Sequence, residues 1–290
     1  MTHRPVAPPI ADLGPAREVL AMLQAAFERR APPRVKALHL PPPPPPGGRR
    51  GEFCALELQD GTLGLSYVLL DATWAALAAQ PSCLPQAGDE VWPLAQGWCA
   101  PEPWRQALGL AAVNALTRCV FDRAGFVPPA SADSMGHLDL QPGETLGMVG
   151  WFAPLLPRLR ARGVKVVVVE LRPELVGEEE GVRITLDRTA LAGCDQVLAT
   201  GTLLLNHTLS AMLAPCRQAR RFALIGPSVG VPPDPLLARG VSLLGGSWVV
   251  EGPAALQALR SGQALGAAAR KFALTAQDYP GWPALMARGG

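Results

Sequence analysis

From residue 144 onward the chain alternates short apolar runs with stretches of helical pattern, and this alternation restricts its fold more than any other feature. The runs are 145–150 (TLGMVG), 164–171 (VKVVVVEL), 195–201 (DQVLATG), 220–226 (RRFALIG), 241–246 (VSLLGG) and 248–252 (WVVEG). They are followed in turn by APLLPRLRARG, a polar stretch closed by LDRTALAG, TLLLNHTLSAML, a Pro-rich turn and, after the last run, PAALQALRSG. Parallel neighbours need a crossover, usually a helix, so strand and helix in turn at this spacing predict a doubly wound, mostly parallel sheet. The run VKVVVV fits a strand buried on both faces. The expected fold class is therefore α/β, with a Rossmann-like domain over about 140–275.

Residues 1–130 have a different texture, that of a smaller α+β domain. Residues 15–30 set Val19, Leu20, Leu23, Ala26 and Phe27 on one helical stripe, with Pro15 suited to the first turn. Three extended segments follow at 34–40, 52–58 and 62–70, the last two separated by Gln59, Asp60 and Gly61, a hairpin signal. The stretch 41–51 (PPPPPPGGRRG) reads as a polyproline surface insertion, or alternatively as a docking loop for proline-binding partners. Residues 81–103, dense in Pro and Gly, predict a long irregular connection, and 103–121 a well-buried helix with Asn114 inside it. The join between domains falls near 125–143. A length of 290 residues agrees with two domains at about 150 residues each.

Composition excludes some partners. The formal charge is +2, with 23 Arg and 3 Lys, so nothing draws nucleic acid or an anionic membrane to the whole surface. No apolar run reaches the ~20 residues that span a bilayer, and MTHRPVAPPIADLG lacks the apolar segment of a signal peptide. A cytoplasmic location is the expectation. Cys54, Cys83, Cys99, Cys119, Cys194 and Cys216 form no C-x-x-C pair and read as reduced, mostly buried thiols. His3, His39 and His137 have no His or Cys at i+3 or i+4, so they offer no local metal site.

Open α/β sheets bind ligands beyond the carboxyl ends of their strands. The residues that follow the strands here are Gly150, Trp151 and Phe152; Glu170; Thr200, Gly201 and Thr202, with Asn206 and Thr208 soon after; and Gly226, Pro227 and Ser228. Small, hydroxyl and amide residues with one carboxylate suit recognition of a polar ligand better than hydrolysis, and Ser228 has no G-x-S-x-G setting. Glu170 follows Gly150 by about 20 residues, the spacing of the ribose-binding acid in dinucleotide folds, but the G-x-G-x-x-G fingerprint is absent. Thr202 is a candidate helix N-cap. His207 is a candidate metal ligand or acid–base group, against a plain reading as a partly exposed histidine. Asn114 is a buried amide that needs partners, in a neighbouring loop or in an interdomain cleft.

Three blocks, GMVGWFAPLLPRLRARGVKVVVVELRP, GCDQVLATGTLLLNHTLSAML and ALIGPSVGVPPDPLLARGVSLLGGSWVVE, resemble in order and spacing a prokaryotic family of unknown function catalogued under heavy-metal chelation. GTLGLSYVLL and LGLAAVNAL resemble its usual N-terminal companion domain. The resemblance implies an N-terminal fold similar to that of the enolases, a Rossmann-like C-terminal domain, and a site between them. By motif that site involves Glu170, Thr200, Gly201, Asn206, Thr208, Gly226, Pro227 and Ser228, with Asn114. The ligand it implies is a metal ion or metal complex, although the residues show no metal-ligand cluster. The proline run and His207 depart from the family pattern. The leading expectation is a two-domain protein that binds a small polar or anionic ligand, or a metal complex, in the interdomain cleft. The alternatives are an enzyme with an NAD-like or S-adenosylmethionine-like cofactor, and an adaptor. A homodimer is compatible with either of the first two.

Overall fold

The computed structural model describes residues 11–44, 52–70, 72–133, 135 and 137–289. The N-terminal part begins with α1 (Gly14–Ala26), which carries Pro15 in its first turn and buries Val19 and Leu23. Strands β1 (Val35–His39), β2 (Phe53–Leu58) and β3 (Leu63–Tyr67) form an antiparallel meander in that order. The β2–β3 turn is fixed by Asp60, whose Oδ1 accepts from the backbone N–H and the hydroxyl of Thr62, and by Gly61 at φ +86°. Helices α2 (Thr73–Ala79), α3 (Val91–Gln96) and α4 (Pro103–Arg123) follow. The sheet packs its Cys54, Leu56 and Leu58 into the same core as α4. Residues 45–51, with the last two prolines of the run and its Gly- and Arg-rich tip, lie outside the described residues.

The connection 81–103 is not irregular: it holds α3 and two single 3-10 turns, Pro81–Cys83 and Gly97–Cys99. Val91, Ala95 and Trp98 are buried against α4, so packing supplies the order that the Pro- and Gly-rich sequence does not signal.

The C-terminal part continues with β4 (Thr145–Val149), α5 (Leu156–Ala161), β5 (Lys165–Val169), β6 (Gly177–Glu179), β7 (Val182–Thr185) and β8 (Gln196–Thr200). It ends with α6 (Leu209–Leu213), β9 (Arg221–Ile225), α7 (Asp234–Leu237), β10 (Leu243–Val249), α8 (Gly252–Arg260), β11 (Ala269–Leu274) and α9 (Trp282–Gly289). The eight strands lie in the order β11-β10-β9-β8-β4-β5-β7-β6. β4, β5, β7, β8, β9 and β10 are parallel, and the edge strands β11 and β6 run antiparallel to their neighbours. The chain thus winds outward from β4 to β6, then returns to β8 on the other side of β4.

The apolar runs at 241–246 and 248–252 are one strand, β10, because the chain stays extended through Ser247 while it pairs with β9 and β11. LDRTALAG forms a 3-10 turn, Arg188–Gly193, and TLLLNHTLSAML splits into a 3-10 turn, Gly201–Leu204, and α6. The break falls at His207, which sits at φ +54°.

One sheet face packs Leu146, Met148, Val166, Val168 and Leu198 against Leu156 and Leu159 of α5 and against Leu138 and Leu140. The other face places Val149, Val197, Ala199, Leu224 and Trp248 in one core with Leu110, Val113 and Leu116 of α4. Helix α4 therefore serves as a covering layer for the large sheet as well as for the small one. At about 1.5–3 kcal/mol per fully buried Val or Leu, that shared layer is a large part of what holds the two parts together. Among the described residues, no helix is long and apolar enough to cross a membrane.

Candidate functional site

A cavity of about 490 Å³ opens where the carboxyl ends of β5, β4, β8 and β9 meet the β2–β3 hairpin. It stands at the reversal of strand order, between β4 and β8.

The wall built by β4 and β5 carries Gly150, Trp151, Phe152, Glu170 and Arg172. Gly150 sits at φ +92° and donates its N–H to the Val169 carbonyl at 3.0 Å, and a Cβ there would meet Thr200 Cγ2 at 3.0 Å. Only glycine lets the turn pass Thr200 without strain. Glu170 Oε1 accepts from the Leu171 N–H at 3.0 Å, and Oε2 pairs with Arg172 Nη2 at 3.3 Å.

The facing wall is built after β8 and β9. Thr200 Oγ1 accepts from the Thr202 N–H at 3.4 Å, so Thr200, not Thr202, caps the turn that begins at Gly201. The strand ends with Thr200 still extended, which aims its side chain back along the turn. Asn206 Oδ1 accepts from the Thr208 hydroxyl at 2.6 Å and from its N–H at 3.3 Å. Gly201, Gly226, Pro227 and Ser228 complete the lining. Ser228 is 2% exposed, and its Oγ accepts from the Tyr67 N–H at 2.9 Å.

The structure thus brings Gly150, Trp151, Phe152, Glu170, Thr200, Gly201, Thr202, Asn206, Thr208, Gly226, Pro227 and Ser228 to one cavity. Asn114 does not line it. Its Nδ2 donates to the Leu65 carbonyl at 2.8 Å and the Ser228 carbonyl at 2.9 Å, so it ties β3 to the loop after β9 from behind. His207 is not in the cavity either, and it is buried, not partly exposed. Its Nε2 donates to the Trp98 carbonyl at 2.8 Å, and Trp98 Nε1 donates to the Leu204 carbonyl at 2.8 Å. Burial lowers the His207 pKa, opposed by the Trp98 carbonyl and by Asp12. The role of His207 here is to bridge the two parts.

Sequence reading missed the contribution of the small sheet: Glu52, Phe53, Tyr67, Leu69 and Leu70 also line the cavity. The Phe53–Tyr67 pairing, with ring centroids 5.5 Å apart, follows from the Asp60-Gly61 turn and could be counted back from it. That this end of the hairpin abuts β4 and β9 depends on tertiary packing alone.

A family model described as "Putative heavy-metal chelation" (DUF364) matches residues 133–277, half of the chain, and a second with the same description (DUF4213) matches 51–117. The chain belongs to this family. Two solved structures of proteins with unknown function from the DUF364 family share the fold. One, from Desulfitobacterium hafniense DCB-2, is 19% identical with a TM-score of 0.62, covering 89% of this chain and 98% of its own. The other, from Pyrococcus horikoshii, is 17% identical with a TM-score of 0.64, covering 89% of this chain and 99% of its own. No curated protein matches.

The chelation description can be set against the donors present. Among the described residues, no group of three or more His, Cys, Asp or Glu side chains comes together. The cavity has two carboxylates, Glu52 and Glu170, the latter already paired with Arg172, and its other side-chain oxygens are hydroxyls and an amide, oxygen donors that suit hard cations better than soft heavy metals. The buried thiols stay protonated: burial pushes Cys54, Cys119 and Cys216 up to about 12 and Cys194 up to about 11. This donor set does not fit a bare heavy-metal ion.

Proposed function

We propose that this member of the family binds a small organic ligand, rich in hydroxyl or other polar groups, in the cleft between its two parts, and that any metal arrives already held by that ligand. The observation that supports the reading is the convergence of Thr200, Thr202, Asn206, Thr208, Ser228 and the Glu170–Arg172 pair on one cavity of about 490 Å³. That volume is ordinary for small-molecule sites, which run to roughly 300–1,000 Å³. The hydroxyls both donate and accept, and the carboxylate accepts, so the set matches a polyol or hydroxy-acid face better than a bare ion.

A nucleotide-type cofactor is the second reading. It is favoured by Glu170 at the end of β5, next to β4, in one cavity with Gly150, where dinucleotide folds hold their ribose-binding acid. The turn after β4 argues the other way. It presents Trp151 and Phe152 where a diphosphate needs close backbone approach, and Pro154 removes an N–H from the 3-10 turn that follows.

Mass spectrometry of what the gently purified protein retains, with elemental analysis of the same sample, tests both. An organic molecule retained alone or with metal in lesser or equal amount is the expected result. Metal retained without an organic molecule counts against the first reading, and a retained diphosphate nucleotide selects the second. Asn206→Ala and Glu170→Gln variants that retain as much as the wild type would remove the site assignment.

A further inference from the structure

On the α5 face of the large sheet a second cavity, of about 450 Å³, lies between the turn after β4 and strands β9, β10 and β11. The topology explains why it is there. Helix α5 covers β4 and β5, whereas the segments that connect β8 to β9 and β9 to β10 pack on the other face, so among the described residues this half of the sheet has no crossover helix above it. The floor is low at its centre and flanked by the larger Ile225 and Leu243. Gly245 and Ala273 point toward the α5 side, and a Cβ added to Gly245 would enter the cavity and meet Ile225 Cγ2 at 3.0 Å. The opposite wall is Phe152 and Leu155. Small residues at the centre of the floor, with Ile225 and Leu243 beside them and Phe152 and Leu155 opposite, leave an apolar slot.

Its charged lining residues are Asp133 and Lys271. The Asp133 carboxylate is already taken, accepting from the Met135 N–H at 2.9 Å and the His137 N–H at 2.6 Å, and Lys271 is exposed at the edge. The interior therefore favours an uncharged group. The slot adjoins the cleft: Phe152, Ile225, Gly226 and Pro227 line both cavities. From the end of β5, where Glu170 sits, to the end of β9 is three strand intervals, about 14 Å at the usual ~4.8 Å spacing.

We propose that the slot is the second compartment of one elongated site, and that it takes a flat, uncharged ring carried at one end of a ligand whose hydroxylated chain lies in the cleft. The proposal rests on the cleft reading above. A shape of this kind needs no diphosphate, in keeping with the turn after β4.

Riboflavin, a flat uncharged ring on a five-carbon hydroxylated chain, is a probe of this shape, and lumichrome is its ring alone. Both are fluorescent, so anisotropy or quenching titrations give their affinities for the wild type and for Gly245→Leu, Leu155→Trp and Glu170→Gln. Leu155 lies half-exposed on the turn, so its variant fills the slot from outside should Gly245→Leu prove unstable in circular dichroism. The expected result is that riboflavin binds the wild type at least tenfold more tightly than lumichrome. Either slot-filling variant weakens both by tenfold or more, and Glu170→Gln weakens riboflavin while leaving lumichrome unchanged. No saturable binding of either probe to the wild type overturns the proposal. Loss of riboflavin in Glu170→Gln but not in the slot variants also overturns it and leaves the cleft reading intact. Loss in the slot variants but not in Glu170→Gln overturns both the cleft reading and the spanning ligand.

Discussion

The β8–β9 wall of the cleft and the β4–β5 wall are held in different ways. On the first, His207 and Ser228 are buried and bonded to Trp98, Asn114 and Tyr67 of the N-terminal part. On the second, Trp151, Phe152 and Arg172 are half-exposed, and the Glu170–Arg172 pair stays within one loop. A wall cross-tied to a distant part of the chain opens only when that part moves, whereas a locally bonded loop can adjust on its own. The first wall is therefore the fixed template and the second the part that adapts to what binds.

Asn114→Leu tests this difference most severely. It removes both donors to the Leu65 and Ser228 carbonyls and leaves two buried acceptors unpaired, so urea unfolding should show a loss of about 2–4 kcal/mol. A loss below ~0.5 kcal/mol would mean that the clasp is not what fixes the wall. Gly201→Ala comes next: its Cβ would lie 2.6 Å from Val229 Cγ2 in a buried setting, which should cost about 1–3 kcal/mol in the same measurement.

Acid should loosen the fixed wall. The folded protein holds His207 with a lowered pKa, so the unfolded chain takes up the proton first. Its contribution to stability is whole above the unfolded value of about 6.5 and declines as pH falls below it. Melting curves from pH 7.5 downward should show this decline, and it should shrink in His207→Asn, which keeps a side chain tolerant of positive φ. An undiminished decline in that variant would place the titration elsewhere. On the adaptable wall the smallest effect is expected: Arg172→Ala should change stability by no more than about 0.5 kcal/mol, because its ion pair is partly in water. A larger loss would make the two walls alike.

The parallel sheet was legible because most of its strands are apolar Val- and Leu-rich runs, and the cavity residues on the large sheet because they follow such runs. β6 and β7 were not. GEEEGVRIT has no apolar run long enough to announce a strand, and its order comes from pairing β7 onto β5. Asn114 was legible as an amide in need of partners, but only the packed structure shows them to be two carbonyls 49 and 114 residues away. His207 misled for a related reason. Its neighbours in sequence do not show that Trp98, 109 residues distant, closes over it.

The single core that runs from α4 through the large sheet bears on how such a protein can change over time. A stretch spanning 133–277 alone, cut at the limits of its own family match, would leave Val197, Leu224 and Trp248 without the cover of α4 and present a sticky apolar face. In this chain the two parts are therefore one packing unit. An inheritable change in the first part is at once a change in the floor on which the second part's site is built.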